Sequence, residues 1–134
     1  MGRTIARHLL AVGLVVAGFA HLLAWRSFLA QVPPWMPFAR AVILVSGLIE
    51  IVLAIALIAA KRQRRQMGVI VAIFFVLVFP GNISQWVTQT DGFGLDTDRE
   101  RLIRLFAQPF LVYLAWWSTR PASNRVQQTM KEHR

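Results

Sequence analysis

Residues 41–60 read AVILVSGLIEIVLAIALIAA, and Glu50 is the only ionisable side chain among them. A helix of this length, at about 1.5 Å of rise per residue, matches the hydrocarbon core of a bilayer, which is about 30 Å thick. A stretch this long and this apolar is typical of a membrane-spanning helix. The sequence therefore predicts an integral membrane protein, with Glu50 inside one of its spans.

Three further apolar stretches, 9–25, 67–86 and 102–118, are separated from this one by charged or proline-containing connections. Together they predict an all-α integral membrane four-helix bundle with up-down-up-down topology over 1–118, followed by a polar cytoplasmic tail, 119–134. The first stretch has basic residues before it and small residues near its end, as a cleaved signal peptide does. We expect it to remain as an uncleaved helix, because cleavage would leave His21 at a new terminus.

The composition supports a membrane protein. Hydrophobic residues make up 56% of the chain and charged residues 16%, and the mean hydropathy is +0.50. Soluble domains carry about 25% charged residues, so most soluble enzyme architectures are excluded. The chain has no cysteine, which excludes disulfides, iron–sulfur clusters and zinc held by thiolates. Any redox function must therefore use a bound cofactor or a partner protein.

The basic residues are distributed unequally between the two sides of the predicted bundle. The chain has 15 Lys and Arg against 6 Asp and Glu, a net charge of +9. With four spans, ten of the 15 fall on the side of the termini: Arg3, Arg7, Lys61, Arg62, Arg64, Arg65, Arg120, Arg125, Lys131 and Arg134. The positive-inside rule then places both termini in the cytoplasm, across the bacterial cytoplasmic (inner) membrane. We expect the basic turn 61–65 to contact anionic lipid headgroups rather than nucleic acid or a dedicated phosphate ligand.

Each predicted span contains one polar side chain that is a candidate for a shared cluster: His21, Glu50, Asn82 and Gln108. Their positions along the spans place three of them in the outer half of the bilayer, with Glu50 at the floor of the same region. A polar group in lipid must find a partner in the protein. The sequence therefore predicts an inward-facing polar cluster, in which all four residues are candidate ligand-binding residues and Glu50 is the candidate proton-handling group.

Small residues share helix faces with two of these side chains. Gly13 and Ala17 precede His21 at steps of four residues, and Ser46 precedes Glu50 by the same step. Small residues on one face let membrane helices approach closely. We therefore expect the first two spans to pack along these faces.

Two prolines lie inside the predicted third and fourth spans. Pro80 has no N–H to donate to the carbonyl of Val76, and Pro109 none to donate to that of Leu105. These prolines predict kinks and free backbone acceptors at nearly the depth of Asn82.

Aromatic residues lie near the ends of the predicted spans. The connection 26–40 contains three prolines and cannot form a continuous helix. We expect it to lie on the membrane surface and the nearby aromatic rings to sit at the headgroup level. The predicted interfacial residues are Trp25, Phe28, Trp35, Phe38, Trp86, Trp116 and Trp117.

Five short motifs occur in a recognisable order: GFAH at 18–21, VPPWMP at 32–37, SGLIE at 46–50, FPGNI at 79–83 and QP at 108–109. In this order they resemble the DoxX-like family of small four-span bacterial membrane proteins, over about residues 10–117. Leu22 stands where a Phe is expected after the His, and Gly81 where an Ala is common. Some members are linked with thiosulfate:quinone oxidoreductase or with membrane complexes for oxidant defence, so the resemblance implies an association with redox metabolism. The missing cysteines argue against a disulfide-handling role.

These observations favour an accessory membrane subunit of an oxidoreductase or quinone-linked system. A quinone headgroup would lie at the polar cluster, with His21 or Gln108 donating to a quinone oxygen and Glu50 exchanging the proton. A membrane or membrane-associated partner protein would supply the electrons, so we do not expect catalysis by this chain alone.

Two alternatives stay open at this point. In one, the cluster only holds the helices together in a structural or assembly subunit. In the other, less favoured, the chain is a small-solute transporter, for which a homo-oligomer would supply the moving parts. No metal is expected, because one His and one Glu are too few ligands, and haem held by two histidines is excluded because the spans contain one His.

Overall fold

A computed structural model describes residues 1–92 and 97–121, and over these residues the protein is helical and contains no strand. The four long helices are α1 (Gly2–Leu23), α2 (Ala39–Ala59), α3 (Arg64–Thr88) and α4 (Asp98–Ser118), and a 3₁₀ helix, Trp25–Gln31, lies between α1 and α2. The tail predicted for 119–134 lies outside the described residues from position 122 onward, as does the segment 93–96 of the loop before α4.

Helices α1, α2 and α3 are each long and apolar enough to cross a membrane. Helix α4 is 21 residues long, but its first turn contains the charged residues Asp98 and Glu100. The described part of the chain is thus all-helical, and its three apolar helices are candidate membrane spans that indicate a membrane protein.

The helices extend beyond the apolar stretches into polar sequence. Helix α1 begins at Gly2 and α3 at Arg64, because backbone hydrogen bonding continues where the apolar residues stop. Helix α4 begins at a capping box: the Thr97 hydroxyl accepts from the Glu100 amide at 3.3 Å, and Glu100 accepts from the Thr97 amide at 3.1 Å. The pattern Thr-x-x-Glu at 97–100 is a sequence signal for this start.

Each long helix packs against two others. Helix α1 lies mainly against α2 and α3 mainly against α4, with further contacts between α1 and α4 and between α2 and α3. All four contribute to one apolar core, in which the most buried side chains include Leu14, Leu57, Val71 and Ala115. The outward faces are also apolar; on α1 they carry Ile5, Leu9, Val12, Val16, Phe19 and Leu23.

Helices α1 and α2 meet backbone to backbone at Gly18 and Gly47. A Cβ atom on Gly18 would lie 2.7 Å from the Gly47 carbonyl oxygen, and one on Gly47 would lie 2.8 Å from the Gly18 carbonyl oxygen. The sequence predicted this contact along Gly13 and Ser46, but Gly13 faces open space. The close approach therefore uses the neighbouring face of each helix.

The 3₁₀ helix closes one end of the structure, which we call the 3₁₀ end. Its last residue, Gln31, places its carbonyl oxygen 2.6 Å from where a Cβ on Gly81 of α3 would lie. Phe28 is only 4% exposed, so its ring packs inside the protein instead of lying on the surface of the structure. The opposite end holds the start of α1, the turn 60–63 between α2 and α3, and the end of α4, and we call it the basic end.

Candidate functional site

The two ionisable side chains predicted for the polar cluster, His21 and Glu50, are in direct contact between α1 and α2. The Nδ1 atom of His21 lies 2.9 Å from Oε2 of Glu50, and the side chains are 15% and 9% exposed. The two groups carry opposite charges when they are ionised. They therefore pair in a nearly dry environment, where burying either charge alone would be costly.

The crossing of α1 and α2 explains why these residues meet. Gly18 packs against Gly47 and Ile51, whereas His21 packs against Gly47, so residue numbers rise on one helix as they fall on the other and the helices are antiparallel. Each Cα–Cβ bond tilts toward the N-terminus of its own helix. His21 and Glu50 therefore lean toward each other from opposite sides of the Gly18–Gly47 contact.

The surroundings of Nδ1 of His21 determine where its proton lies. This nitrogen lies 2.8 Å from the carbonyl oxygen of Ala17 as well as 2.9 Å from Oε2 of Glu50. A backbone carbonyl can only accept, so Nδ1 carries the hydrogen and donates it to Ala17. Oε2 of Glu50 is buried and has no aligned hydrogen-bond donor, so its contact with His21 is mainly electrostatic. It remains an acceptor site in a dry environment.

Phe28 covers the imidazole of His21. The two rings stack with their centroids 3.8 Å apart and an interplanar angle of 24°. Because Phe28 belongs to the 3₁₀ helix, the segment that closes this end of the structure also shields the pair from solvent. A stacked aromatic ring also attracts a protonated imidazole.

Arg104 of α4 adds a third charge to this site. The guanidinium group is partly buried, and its charge attracts that of Glu50 and repels that of a protonated His21. From the sequence, Arg104 was only one of the five Lys and Arg residues on the side opposite the termini. Its electrostatic interaction with Glu50 of α2 depends on α1 packing against both α2 and α4, which no local pattern reveals.

The other two predicted residues, Asn82 and Gln108, form a separate pair between α3 and α4. Nδ2 of Asn82 donates to Oε1 of Gln108 at 3.2 Å, and Nε2 of Gln108 donates to the carbonyl oxygen of Phe75 at 2.9 Å. Phe75 is one residue before Val76, the position at which Pro80 predicted a free acceptor. Both ends of the Gln108 amide are thus used within the protein.

The four predicted residues therefore come together as two pairs, one charged and one neutral, each across its own pair of helices. Arg104 lies one turn before Gln108 in α4 and so connects the two pairs along one helix face. Within 1–92 and 97–121, no three His, Asp or Glu side chains lie close enough to hold a metal ion.

A family model described as a domain of unknown function, DUF8561, matches residues 10–119. The matched segment begins within α1 and ends just after α4, so it contains the 3₁₀ helix and both polar pairs. No curated protein matches the chain, and no solved structure does.

Proposed function

The chain belongs to the DUF8561 family, and we propose that it is an accessory membrane subunit of a quinone-linked oxidoreductase system. The proposal rests above all on one observation, the buried acceptor oxygen of Glu50 beside the protonated Nδ1 of His21. A small hydrophobic ligand with a polar headgroup would bind at this pair. The proposed link with redox metabolism comes from the five ordered motifs, which resemble the DoxX-like family.

The proposal includes a fourth span, α4, in an up-down-up-down bundle. The exposed face of α4 carries large apolar side chains, as the other three helices do: Leu102, Ile103, Phe106, Phe110, Tyr113 and Trp116. Such a face suits lipid better than water. Beyond the first turn, Arg104 is the one charged residue of this helix, and the nearby charge of Glu50 favours its positive charge inside the protein.

The orientation follows from the distribution of charge. The start of α1, the turn 60–63, the start of α3 and the end of α4 share the basic end, which carries seven of the twelve Lys and Arg residues that the structure describes. The positive-inside rule places this end and both termini in the cytoplasm of a bacterial cell. The His21–Glu50 pair then lies in the extracytoplasmic half of the membrane.

The residues present fit a quinone headgroup. When bound, a quinone supplies a carrier of two electrons and two protons. Glu50 can hold or release a proton in apolar surroundings, and His21 keeps one nitrogen protonated through Ala17 while its other nitrogen is available for exchange. Phe28 excludes water from the pair, and Arg104 attracts the carboxylate. A partner protein supplies the electrons.

The neutral pair favours a second candidate function, a structural or assembly subunit. Gln108 bonds to Asn82 and to the backbone of Phe75, so its amide links two parts of α3 to α4. In this alternative, the His21–Glu50 pair likewise holds α1 to α2.

Mass spectrometry of bound small molecules separates the two. Wild type, Glu50→Gln and Glu100→Gln are purified in native-lipid discs at equal folded yield, and the solvent extracts are compared. Glu100→Gln is the matched control, because it makes the same carboxyl-to-amide change at an exposed position. A quinone enriched in wild type and control and lost from Glu50→Gln is the expected result. Bulk lipids alone in all three extracts would overturn the ligand proposal.

The stability of the same variants tests the alternative directly. If the charged pair acts only as a structural lock, Glu50→Gln lowers the free energy of unfolding and leaves the extract unchanged. Loss of the quinone at unchanged stability supports the binding role.

A further inference from the structure

A cavity of about 430 Å³ lies at the basic end, far from both polar pairs. It is an open cavity lined by the start of α1, the start of α3 and the end of α4. Its lining residues are Met1, Gly2, Arg3, Thr4, Arg7, Arg64, Trp117, Ser118 and Arg120. Four of these are arginines, and none of the described lining residues is acidic. The volume falls within the range of small-molecule sites.

Arg7 distinguishes this cavity from an ordinary basic surface. Its residue exposure is 7%, and its Nε atom is buried without a hydrogen-bond partner. A surface arginine keeps its charge in water, whereas a buried one needs a compensating partner. The described residues around Arg7 supply no carboxylate for it.

The neighbours of Arg7 increase this need. Arg64 at the start of α3 carries a like charge close enough to repel that of Arg7. Arg3 donates to the carbonyl oxygen of Pro121 at 2.8 Å and lies 5.6 Å from the centre of the Trp117 ring. These contacts hold the side chain of Arg3 in place without neutralising its charge.

The backbone adds further positive potential. The first residues of α1 line the cavity, and no side chain caps this helix N-terminus. Free N–H groups and the helix dipole make such an end favourable for anions. The uncapped helix end and the buried, unpaired Arg7 are independent observations that point to the same missing charge.

We propose that this cavity binds a phosphate group, carried by an anionic phospholipid or free in solution, with Arg7 as its central contact. Guanidinium groups bind phosphate oxygens through paired, charge-assisted hydrogen bonds, and several can share one phosphate. Trp117 gives the cavity one aromatic wall, which suits the glycerol part of a lipid headgroup. This site is separate from the ligand site proposed at Glu50.

Binding to the full chain tests the proposal with two probes. In the first arm, protein from discs of phosphatidylcholine and phosphatidylglycerol is analysed by native mass spectrometry, which counts bound phosphatidylglycerol. In the second, inorganic phosphate is titrated by calorimetry into protein in discs of phosphatidylcholine alone. The variant is Arg7→Gln, and the matched control is Arg65→Gln, which removes an exposed charge near the start of α3 that does not line the cavity.

The expected result is a single site whose affinity falls about tenfold or more in Arg7→Gln and about twofold or less in Arg65→Gln. Retention of phosphatidylglycerol alone identifies a lipid site, whereas saturable binding of inorganic phosphate identifies a site for the free anion. Should Arg7→Gln fail to fold, Arg120→Gln, at an exposed position of the lining, tests the same site. The proposal is overturned if neither probe binds at a defined stoichiometry, or if Arg7→Gln and Arg65→Gln weaken binding equally.

Discussion

Buried charges are balanced near one end of the helices and unbalanced near the other. Toward the 3₁₀ end, Glu50 lies against His21 under Phe28, and Arg104 adds an attractive charge from α4. At the basic end, Arg7 is as well buried as Glu50, but among the described residues its charged neighbours carry like charges. The first region is close to electrical balance within the chain, whereas the second is not.

This difference separates two kinds of polar group inside a membrane protein. A balanced pair contributes to the fold whether or not a ligand is present, and a ligand there would exploit a proton or a free acceptor. An unbalanced arginine contributes little to the fold and indicates a partner from outside the chain. The two regions should therefore respond differently to mutation.

The largest expected effect comes from breaking the charged pair. His21→Leu leaves the carboxylate of Glu50 buried without its nearest cation and should lower the free energy of unfolding by about 3 to 5 kcal/mol. Denaturation by SDS in mixed micelles measures this. The double change with Glu50→Leu should recover most of the loss, and His8→Leu on the exposed face of α1 is the matched control. A double variant no more stable than His21→Leu would contradict the pairing.

The next effect concerns the contact that brings the pair together. Gly18→Ala forces a methyl group against the backbone of α2 and should cost about 1 to 3 kcal/mol. Gly13→Ala in the same helix enters open space and should gain up to about 1 kcal/mol from its helix propensity. Thermal unfolding followed by circular dichroism compares them. Equal effects would mean that α1 and α2 do not meet at Gly18.

A smaller effect is expected at the neutral pair. Asn82→Leu removes one hydrogen bond between α3 and α4 and should cost about 0.6 to 1.7 kcal/mol, the range for such bonds in membranes. SDS denaturation again provides the measurement, with Ile83→Leu at an exposed apolar position as control. A loss as large as that of His21→Leu would remove the distinction between a charged and a neutral pair.

The smallest effect is expected at the basic end. In discs of phosphatidylcholine without added phosphate, Arg7→Leu should leave stability unchanged or raise it by about 0.5 kcal/mol, because it removes a like-charge repulsion. Thermal unfolding in these discs measures the change. A loss of several times this size would show that Arg7 has a stabilising partner within the chain.

The polar residues show how far sequence reasoning reached. Each of His21, Glu50, Asn82 and Gln108 stands out as a polar interruption of an apolar stretch, so these residues could be selected without a structure. Their division into two pairs could not, because it depends on which helices lie side by side. Phe28 was expected at the membrane surface for a similar reason: an aromatic residue in a proline-rich loop gives no sign that it will fold back over His21.

The arginines illustrate a different limit. From the sequence, Arg7 and Arg104 were only charges to be counted, on opposite sides of the membrane, and for that purpose all arginines are equivalent. In the structure one is buried among like charges and the other is attracted to a carboxylate on another helix. A count of charges contains no information about burial.

The sequence by itself determined that the chain is helical and suited to a membrane, because length and hydropathy are sums over neighbouring residues and need no tertiary contact. It also indicated where α4 begins, since the capping box at 97–100 is local. Only the tertiary structure decided that α1 and α2 cross at Gly18 and Gly47, and hence that His21 and Glu50 form a buried electrostatic pair. It also decided that Arg7 is buried with no carboxylate partner among the described residues. Which side chains become partners depends on how closely helices far apart in the sequence approach each other. That distance is a property of the packed chain and not of any one segment.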